Sequence, residues 1–143
     1  MPDQFIKREL LRYWKTIEVR WGDMDAQGHV NNTAYFMYCE SARVELLRRI
    51  GFKGKLPGLT EGPALVHASC DFKRQVIYPA TLDIGIRVTK IGQSSFQMEY
   101  GLFFHDSDEL AAIATSTNAW VNYAEEHAVN LPEEIRSALA EYL

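Results

Sequence analysis

The stretch Arg20-Trp-Gly-Asp-Met-Asp-Ala-Gln-Gly-His-Val-Asn-Asn-Thr-Ala-Tyr35 joins two segments of different character. Before it, residues alternate between two faces from Tyr13 to Trp21, and this period of two predicts a β-strand. After it, Thr33 to Ile50 contains no Gly or Pro and has apolar residues at helical spacing. The stretch itself is rich in Gly, Asp and Asn, so it predicts a loop between a strand and a long helix.

Four more strands are predicted downstream, because alternation with a period of two continues as far as Tyr123. One face of the first of them should carry Ala64, Val66, Ala68, Cys70 and Phe72. The last three strands are joined by short connections and should form antiparallel hairpins, and a short amphipathic helix should follow Pro132. The first half of the long helix is apolar on nearly every side, so the sheet must curve around it in an α+β domain.

Composition and charge restrict the class of protein. The chain has 143 residues, 47% hydrophobic and 24% charged, which predicts one globular domain over residues 1–143. The net charge of −4 and the lack of a basic cluster argue against nucleic acid as a partner. No apolar run approaches about 20 residues and the first residues lack a signal peptide, so we expect a cytoplasmic protein that avoids membranes. Cys39 and Cys70 lie in apolar stretches and should pack as free thiols.

The start of the long helix is a candidate for a catalytic site. Unpaired backbone N–H groups at a helix N-terminus can stabilise an oxyanion. Asn31 or Asn32 should cap this helix, and Asp25 lies on a loop that can fold back over it. From spacing alone, however, we favour the simpler interpretation that Asp23, Asp25 and the two asparagines are loop and capping residues.

Metal sites fit the same stretch poorly. The spacing of Asp23, Asp25 and Gly28 matches part of an EF-hand calcium loop, but Gln27 and Ala34 occupy two later ligand positions. Zinc is not expected either, because no second His or Cys lies at ligand spacing. A nucleophile elbow of the form GxSxG is also missing from the sequence.

The same stretch, followed by Glu40-Ser-Ala-Arg43, resembles the signature of the 4-hydroxybenzoyl-CoA thioesterase-like hotdog proteins. The resemblance covers roughly residues 13 to 123. It implies a hotdog fold, in which a curved antiparallel sheet of about five strands wraps around one long central helix and a short C-terminal helix follows. It also implies an acyl-CoA thioesterase that needs no cofactor and no metal.

The resemblance assigns roles to residues and reverses the simpler interpretation of Asp25. In the family, the aspartate at this place attacks the thioester carbonyl or activates the water that does. The backbone N–H at the helix start, here that of Asn32, polarises the carbonyl. His29 could hydrogen-bond Asp25 or the substrate, or only shape the turn. Glu40 is a reserve candidate for the catalytic carboxylate, although an ion pair with Arg43 is the preferred interpretation.

Substrate contacts are expected around this centre. Tyr35 could line the acyl pocket or simply pack in the core, and Gly62 and Pro63 are the first positions where we expect further pocket contacts. The phosphates of coenzyme A need cations near the entrance, and the candidates are Lys73, Arg74 and Lys90. One family branch has a basic cluster in the turn that here carries Gly92-Gln93-Ser94, so an acyl carrier protein could replace coenzyme A as the carrier.

Two other functions stay open. One is a non-catalytic acyl-CoA-binding protein, and the other is a dehydratase or hydratase that uses Asp25 and His29. The family generally pairs through its sheets, so we expect a homodimer at least, and a homotetramer as the complete assembly.

Overall fold

The computed structural model describes residues 5–52 and 59–143 and contains one antiparallel sheet with two helices. The strands are β1 (Tyr13–Glu18), β2 (Glu61–Phe72), β3 (Thr81–Ile91), β4 (Ser95–Phe104), β5 (Leu110–Asn122) and the two-residue β6 (His127–Ala128). The helices are α1 (Asn32–Arg49) and α2 (Glu133–Ala140), and short 3-10 turns lie at Arg8–Leu10 and Trp21–Asp23. Neither helix in these two ranges is long and apolar enough to cross a membrane.

The order of strands across the sheet is β1-β3-β4-β5-β2, with β6 paired to β5. Adjacent strands β3, β4 and β5 form the expected antiparallel hairpins. The sheet curls around α1, whose buried residues, among them Ala42 and Leu46, pack into the main core with strand residues such as Ile84 and Tyr100. The predicted α+β hotdog arrangement of one long helix, about five strands and a short C-terminal helix is confirmed.

The first strand is shorter than predicted. It ends at Glu18, because Trp21–Asp23 forms a 3-10 turn. The Asp23 carboxylate accepts hydrogen bonds from the backbone N–H of Arg20 at 3.0 Å and from the Arg20 guanidinium at 3.1 Å. The alternation in sequence continued to Trp21, but this local side-chain pairing turns the chain before that point.

The expected face of β2 is interrupted. Leu65 pairs with Asn118 and His67 pairs with Thr117, so Val66 is an extra residue in a β-bulge. A bulge shifts the alternation by one residue, because two residues then lie opposite one. Pro63 and Leu65, rather than Ala64 and Val66, therefore share the inner face with Ala68, Cys70 and Phe72. The connection predicted between Gly51 and Gly62 lies partly outside the described residues.

Helix α1 is enclosed on one side only. Its face towards the sheet is buried, but Phe36, Met37 and Val44 are exposed, Met37 to 56%. A helix expected to be enclosed all round therefore has an open apolar face in the single chain. The expected ion pair between Glu40 and Arg43 is wrong: within the described residues the Arg43 guanidinium contacts no carboxylate and instead donates to Tyr100.

The N-terminal segment covers the outer face of the sheet. Ile6 and Leu11 form a second apolar cluster with Phe103, Leu110 and Ile113. The strands carry glycine beneath this segment, and a Cβ at Gly85 would collide with the Leu11 and Trp14 side chains. Both faces of the sheet are therefore used, the inner one for α1 and part of the outer one for residues before β1.

Candidate active site

The loop between β1 and α1 is fixed by a buried carboxylate. The Tyr38 hydroxyl donates to Asp23 at 2.6 Å, and the backbone N–H of Asn31 donates to the Asp23 carbonyl at 2.9 Å. Burial alone would raise the pKa of Asp23, but the hydrogen bonds from Tyr38 and Arg20 outweigh it, so its pKa lies below the ordinary value. Asp23 is thus an ionised anchor that ties the loop to the first turns of α1.

Asn31 is the N-cap of α1 and uses both ends of its side-chain amide. Its Oδ1 accepts from the backbone N–H of Thr33 at 2.9 Å and from the Thr33 hydroxyl at 2.6 Å. Its Nδ2 donates to Oδ2 of Asp25 at 2.9 Å. The cap therefore fixes the position of the Asp25 carboxylate at the N-terminal end of the helix.

The Asp25 carboxylate sits in a tight turn. Its Oδ1 accepts the backbone N–H of Gln27 at 2.9 Å, and the Asp25 carbonyl accepts the N–H of Gly28 at 3.0 Å. Gly28 has a φ of +86°, a left-handed conformation that glycine adopts without strain. The turn closes with a hydrogen bond of 3.1 Å from the Asp25 N–H to the His29 carbonyl. This geometry folds Asp25 back over the helix start, as the sequence suggested.

The electrostatics favour a charged Asp25 beside a free donor. The pKa of Asp25 is lowered, first by the hydrogen bond from Asn31 and then by the one from the Gln27 N–H, so the carboxylate is ionised at neutral pH. In the described ranges the backbone N–H of Asn32 has no acceptor. It belongs to the first turn of an 18-residue helix, where the helix dipole adds positive potential. An ionised carboxylate and a free N–H donor in one site can supply a base or nucleophile together with a donor for an oxyanion.

A cavity of about 570 Å³ opens over this pair. Six of the predicted site residues line it, namely Asp25, His29, Asn32, Tyr35, Lys73 and Arg74. Its remaining wall is Ala26, Gln27, Val30, Asn31, Phe72 and Gln75. The cavity therefore lies between the loop, the start of α1 and the segment that follows β2.

The wall of the cavity has an apolar and a cationic part. Tyr35 is buried and its ring meets that of Phe72 edge to face, with 4.9 Å between ring centroids. The Arg74 guanidinium is paired with Glu109 at 2.5 Å. Lys73 is anchored by its backbone N–H to the Ala111 carbonyl at 2.8 Å, and its ammonium group has no ion pair with any described residue. Of the two cations, Lys73 is the one available to an incoming anion.

Three predicted residues lie elsewhere in the single chain. Gly62 is buried, and a Cβ at this position would collide with Tyr123 and Phe52. Pro63 lines a separate cavity of about 320 Å³ beside the C-terminal half of α1. Lys90 lies on β3 opposite Gln97 and is not part of the wall of the 570 Å³ cavity. Their roles in substrate binding stay predictions.

Comparisons with known proteins agree with the overall fold. A family model described as "Thioesterase-like superfamily" matches residues 19–139. A 1,4-dihydroxy-2-naphthoyl-CoA hydrolase of Prochlorococcus marinus is 27% identical over 126 residues, which cover 82% of each chain. The crystal structure of the PA5185 protein from Pseudomonas aeruginosa is 32% identical, covers 95% of this chain and 94% of its own, and superposes with a TM-score of 0.87. A 1,4-dihydroxy-2-naphthoyl-CoA thioesterase from Synechocystis shares the fold, with 21% identity, coverage of 90% and 95%, and a TM-score of 0.80.

Proposed function

This chain belongs to the thioesterase-like superfamily, and on that premise we propose that it hydrolyses acyl-coenzyme A thioesters to a free acid and coenzyme A. Thioester hydrolysis is the reaction class of the chain. The observation that supports our assignment of the catalytic groups is the hydrogen-bonded Asp25 carboxylate at the N-terminal end of α1, above a cavity. We assign the attack on the carbonyl to Asp25 and the polarisation of that carbonyl to the N–H of Asn32.

The proposed chemistry needs only groups of the protein and water. As a general base, Asp25 takes a proton from water while the water oxygen bonds to the carbonyl carbon. As a nucleophile, its carboxylate bonds to that carbon itself and water later hydrolyses the mixed anhydride. In both routes the oxyanion forms next to the Asn32 N–H, and collapse of the intermediate breaks the C–S bond and releases the thiolate of coenzyme A. No cofactor takes part.

The carrier in this proposal is coenzyme A. The relative from Prochlorococcus marinus is named as a hydrolase of a coenzyme A thioester, which supports the same carrier here. Lys73 is exposed at the cavity and free of ion pairs in the described part of the chain, so it is our candidate for a phosphate contact. Comparing turnover of one acyl group on coenzyme A and on acyl carrier protein separates the two carriers.

The experiment that tests the proposal is thiol release by the purified protein with a panel of acyl-coenzyme A substrates. Asp25→Ala and Asp25→Asn should each lose activity by about 10²- to 10⁴-fold, because neither side chain is a useful base or nucleophile. Asp108→Ala is the matched control, since its side chain is 93% exposed and lies outside the wall of the cavity. Circular dichroism should show that all three variants keep the fold.

Three results would contradict the proposal. Full activity in Asp25→Ala would remove Asp25 from the mechanism. Tight acyl-coenzyme A binding without thiol release by the unaltered protein would instead favour the non-catalytic binding function. A preference for hydration of an enoyl thioester would favour the dehydratase or hydratase alternative.

The proposal includes assembly of the chain with copies of itself. Strand β2 lies at one edge of the sheet and pairs only with β5 among the described strands. Its residues Leu65, Val66 and Phe72 are exposed, and Leu65 lines cavities together with Phe36, Met37 and Val44 of the open face of α1. An exposed edge of this length tends to pair with another strand, so we propose a homodimer through β2, with a homotetramer as the complete assembly.

A further inference from the structure

A groove runs along α1 on the side of strand β2, through which we propose that two copies pair, so a ligand in the groove would lie between the paired chains. Two cavities of about 320 Å³ and about 120 Å³ lie in it and share the residues Glu40, Arg43 and Leu65. The smaller cavity reaches Ala68 and Ser69, further along β2 towards Phe72, which belongs to the wall of the active-site cavity. The three cavities therefore follow one another along the same helix and the same strand, with Asp25 at one end.

The floor of the groove contains a buried cation without an anion. Arg43 is only 7% exposed, and its Nη1 donates to the Tyr100 hydroxyl at 3.1 Å. Residues 5–52 and 59–143 provide no carboxylate within ion-pairing distance and no other acceptor for it. No fully buried side-chain nitrogen lacks a hydrogen bond in this part of the chain, so the other nitrogens of the Arg43 guanidinium keep some exposure, and Arg43 lines both cavities.

Further buried polar groups extend from Arg43. The Tyr100 hydroxyl and the Ser116 hydroxyl are 2.7 Å apart, and the side-chain amide of Asn118 donates to Ser116 at 3.2 Å. Tyr100, Ser116 and Asn118 are almost completely buried, and Asn118 also lines the larger cavity. Burying polar groups and a charge costs free energy unless they are paired, so a cation placed here calls for an anionic or oxygen-bearing partner.

We propose that the groove receives the distal part of the acyl group, and that Arg43 selects acyl chains that end in a carboxylate. This inference rests on the proposed function, because the reacting carbonyl must lie at Asp25. Arg43 follows Asn32 by eleven residues, which is about 16 Å along the helix axis, so the chain must be long and extended. The walls between the two ends include the apolar side chains of Phe36, Met37 and Leu65.

Glu40 is the other charged group that lines both cavities. Glu40 is exposed, so its carboxylate is hydrated. Arg43, which lines the same cavity, is buried. Charge interactions weaken in contact with water, so an anion at the floor interacts mainly with the buried guanidinium. A guanidinium matches a carboxylate with two parallel hydrogen bonds, and this geometry favours a terminal carboxylate over a terminal methyl group.

The experiment compares two thioesters of equal length, dodecanoyl-coenzyme A and dodecanedioyl-coenzyme A. The unaltered protein should show a kcat/KM for the dicarboxylic substrate that is about tenfold higher or more, as expected for a hydrogen bond between charged groups. Arg43→Met should abolish or reverse this preference, and Arg43→Lys should keep part of it. The ratio of the two kcat/KM values within one variant does not depend on what fraction of the protein is folded.

Failure of the proposed role of Arg43 can be distinguished from failure of the proposed function. Asp25→Ala should stop turnover of both substrates but still bind dodecanedioyl-coenzyme A with a lower Kd than dodecanoyl-coenzyme A. The double variant that combines Asp25→Ala with Arg43→Met should bind both with similar Kd values. Equal kcat/KM values in the unaltered protein, or a preference that survives Arg43→Met, would overturn the role of Arg43. Loss of the dimer in Arg43→Met with an unchanged substrate ratio would show that a second copy supplies the anion, which also overturns it.

Discussion

Asn31 connects the folding of the chain with its proposed chemistry. One end of its amide satisfies the first turn of α1, and the other end holds the Asp25 carboxylate. The hydrogen bond to Asp25 stabilises the charged carboxylate, which is the form able to act as a base or nucleophile. A single side chain therefore caps the helix and makes the largest contribution to lowering the pKa of the proposed catalytic group, Asp25.

The two tasks of Asn31 can be separated by Asn31→Ser. Serine caps a helix about as well as asparagine but has no amide to donate to Asp25, so the pKa of Asp25 should rise towards its ordinary value. Because the ionised form is the one that we propose to be active, activity should fall as the pH drops through this pKa, and the acid limb of kcat/KM should move to higher pH. Measuring kcat/KM between about pH 3 and 8 checks this shift.

Asn31→Ala is the companion variant for this measurement. It removes the cap as well, so it should also lower the free energy of unfolding by about 1 kcal/mol, which Asn31→Ser should not. An acid limb that stays in place in both variants would contradict the proposed link between Asn31 and Asp25.

At this scale the sequence predicted the position of Asp25 but not its partner. The Gly-rich loop before a helix start indicated that a carboxylate folds back over the helix, and the structure places Asp25 there. The bond from Asn31 was missed, because an asparagine at a helix start is explained by capping alone. Arg43 was expected to pair with Glu40 from their spacing, and nothing in a linear pattern indicated the Tyr100 hydroxyl on a distant strand.

The N-terminal segment is the element with the most concentrated polar network. Arg8 donates to the Asp83 carboxylate at 2.7 Å and lies over the ring of Trp14, with 4.9 Å to the centroid. Asp83 also accepts from Thr16 at 3.0 Å and bonds to His105 at 2.8 Å. The oxygens of Asp83 are therefore occupied, so the nearby trio of Asp83, His105 and Asp106 is a hydrogen-bond network that fastens the segment to the sheet.

This network predicts acid sensitivity. Burial alone would raise the pKa of Asp83, but the hydrogen bonds from His105 and Arg8 outweigh it and lower the pKa to about 2. A lowered pKa stabilises the folded state above the ordinary value near 3.8, and this stabilisation disappears as the pH falls towards 2. Asp83→Asn should cost about 2 kcal/mol at neutral pH and remove this part of the acid dependence. Urea unfolding at about pH 3 and pH 7 measures both effects.

The control for this prediction is Asp108→Asn. Asp108 contacts the same Arg8 at 3.8 Å, but its side chain is 93% exposed, so the free energy of unfolding should hardly change. His105 acts in the opposite direction, since the hydrogen bond that its Nδ1 donates to the Asp83 carboxylate raises its pKa. Its contribution is complete below about pH 6.5 and is lost as the pH rises through the folded pKa. Equal acid sensitivity of Asp83→Asn and the unaltered protein would contradict this account.

At the element scale, regular segments were predictable and interruptions were not. Helix α1 was predicted at Thr33 to Ile50 and is observed at Asn32–Arg49, because helical spacing and the flanking loop and glycine define it. The bulge at Val66 has no signature in an alternating pattern of small and apolar residues. The packing of residues 5–12 on the outer face depends on glycines in β3 and β4, which become neighbours only after the sheet has formed.

At the scale of the whole molecule, the exposed edge strand β2 predicts that the chain assembles with a second copy. Val66 is 60% exposed on the edge strand β2, through which we propose that the dimer forms. Val66→Lys should place a charge there and weaken the dimer, since charged side chains on an edge strand oppose pairing. Ser137→Lys adds the same charge at an exposed position of α2 and should leave the assembly unchanged. Sedimentation velocity of the two variants against the unaltered protein measures the difference.

A monomer in the unaltered protein would contradict the proposed assembly.

The order of elements and the resemblance were sufficient to predict the fold, because one nearly apolar helix can pack against a single antiparallel sheet in only a few ways. The sequence did not predict the groove along α1. Its walls come from residues that are far apart in the chain, and the alternating pattern assigns these residues only to surface or core.

The double use of Asn31 restricts how this protein can be made more heat-resistant. Aspartate at position 31 would serve the helix equally well, so a screen that rewards survival at high temperature would accept it. The new carboxylate would then lie within hydrogen-bonding reach of Asp25, and the two would compete for one proton. Variants collected for robustness alone would thus include stable proteins with impaired catalysis, and only a screen that also measures turnover would exclude them.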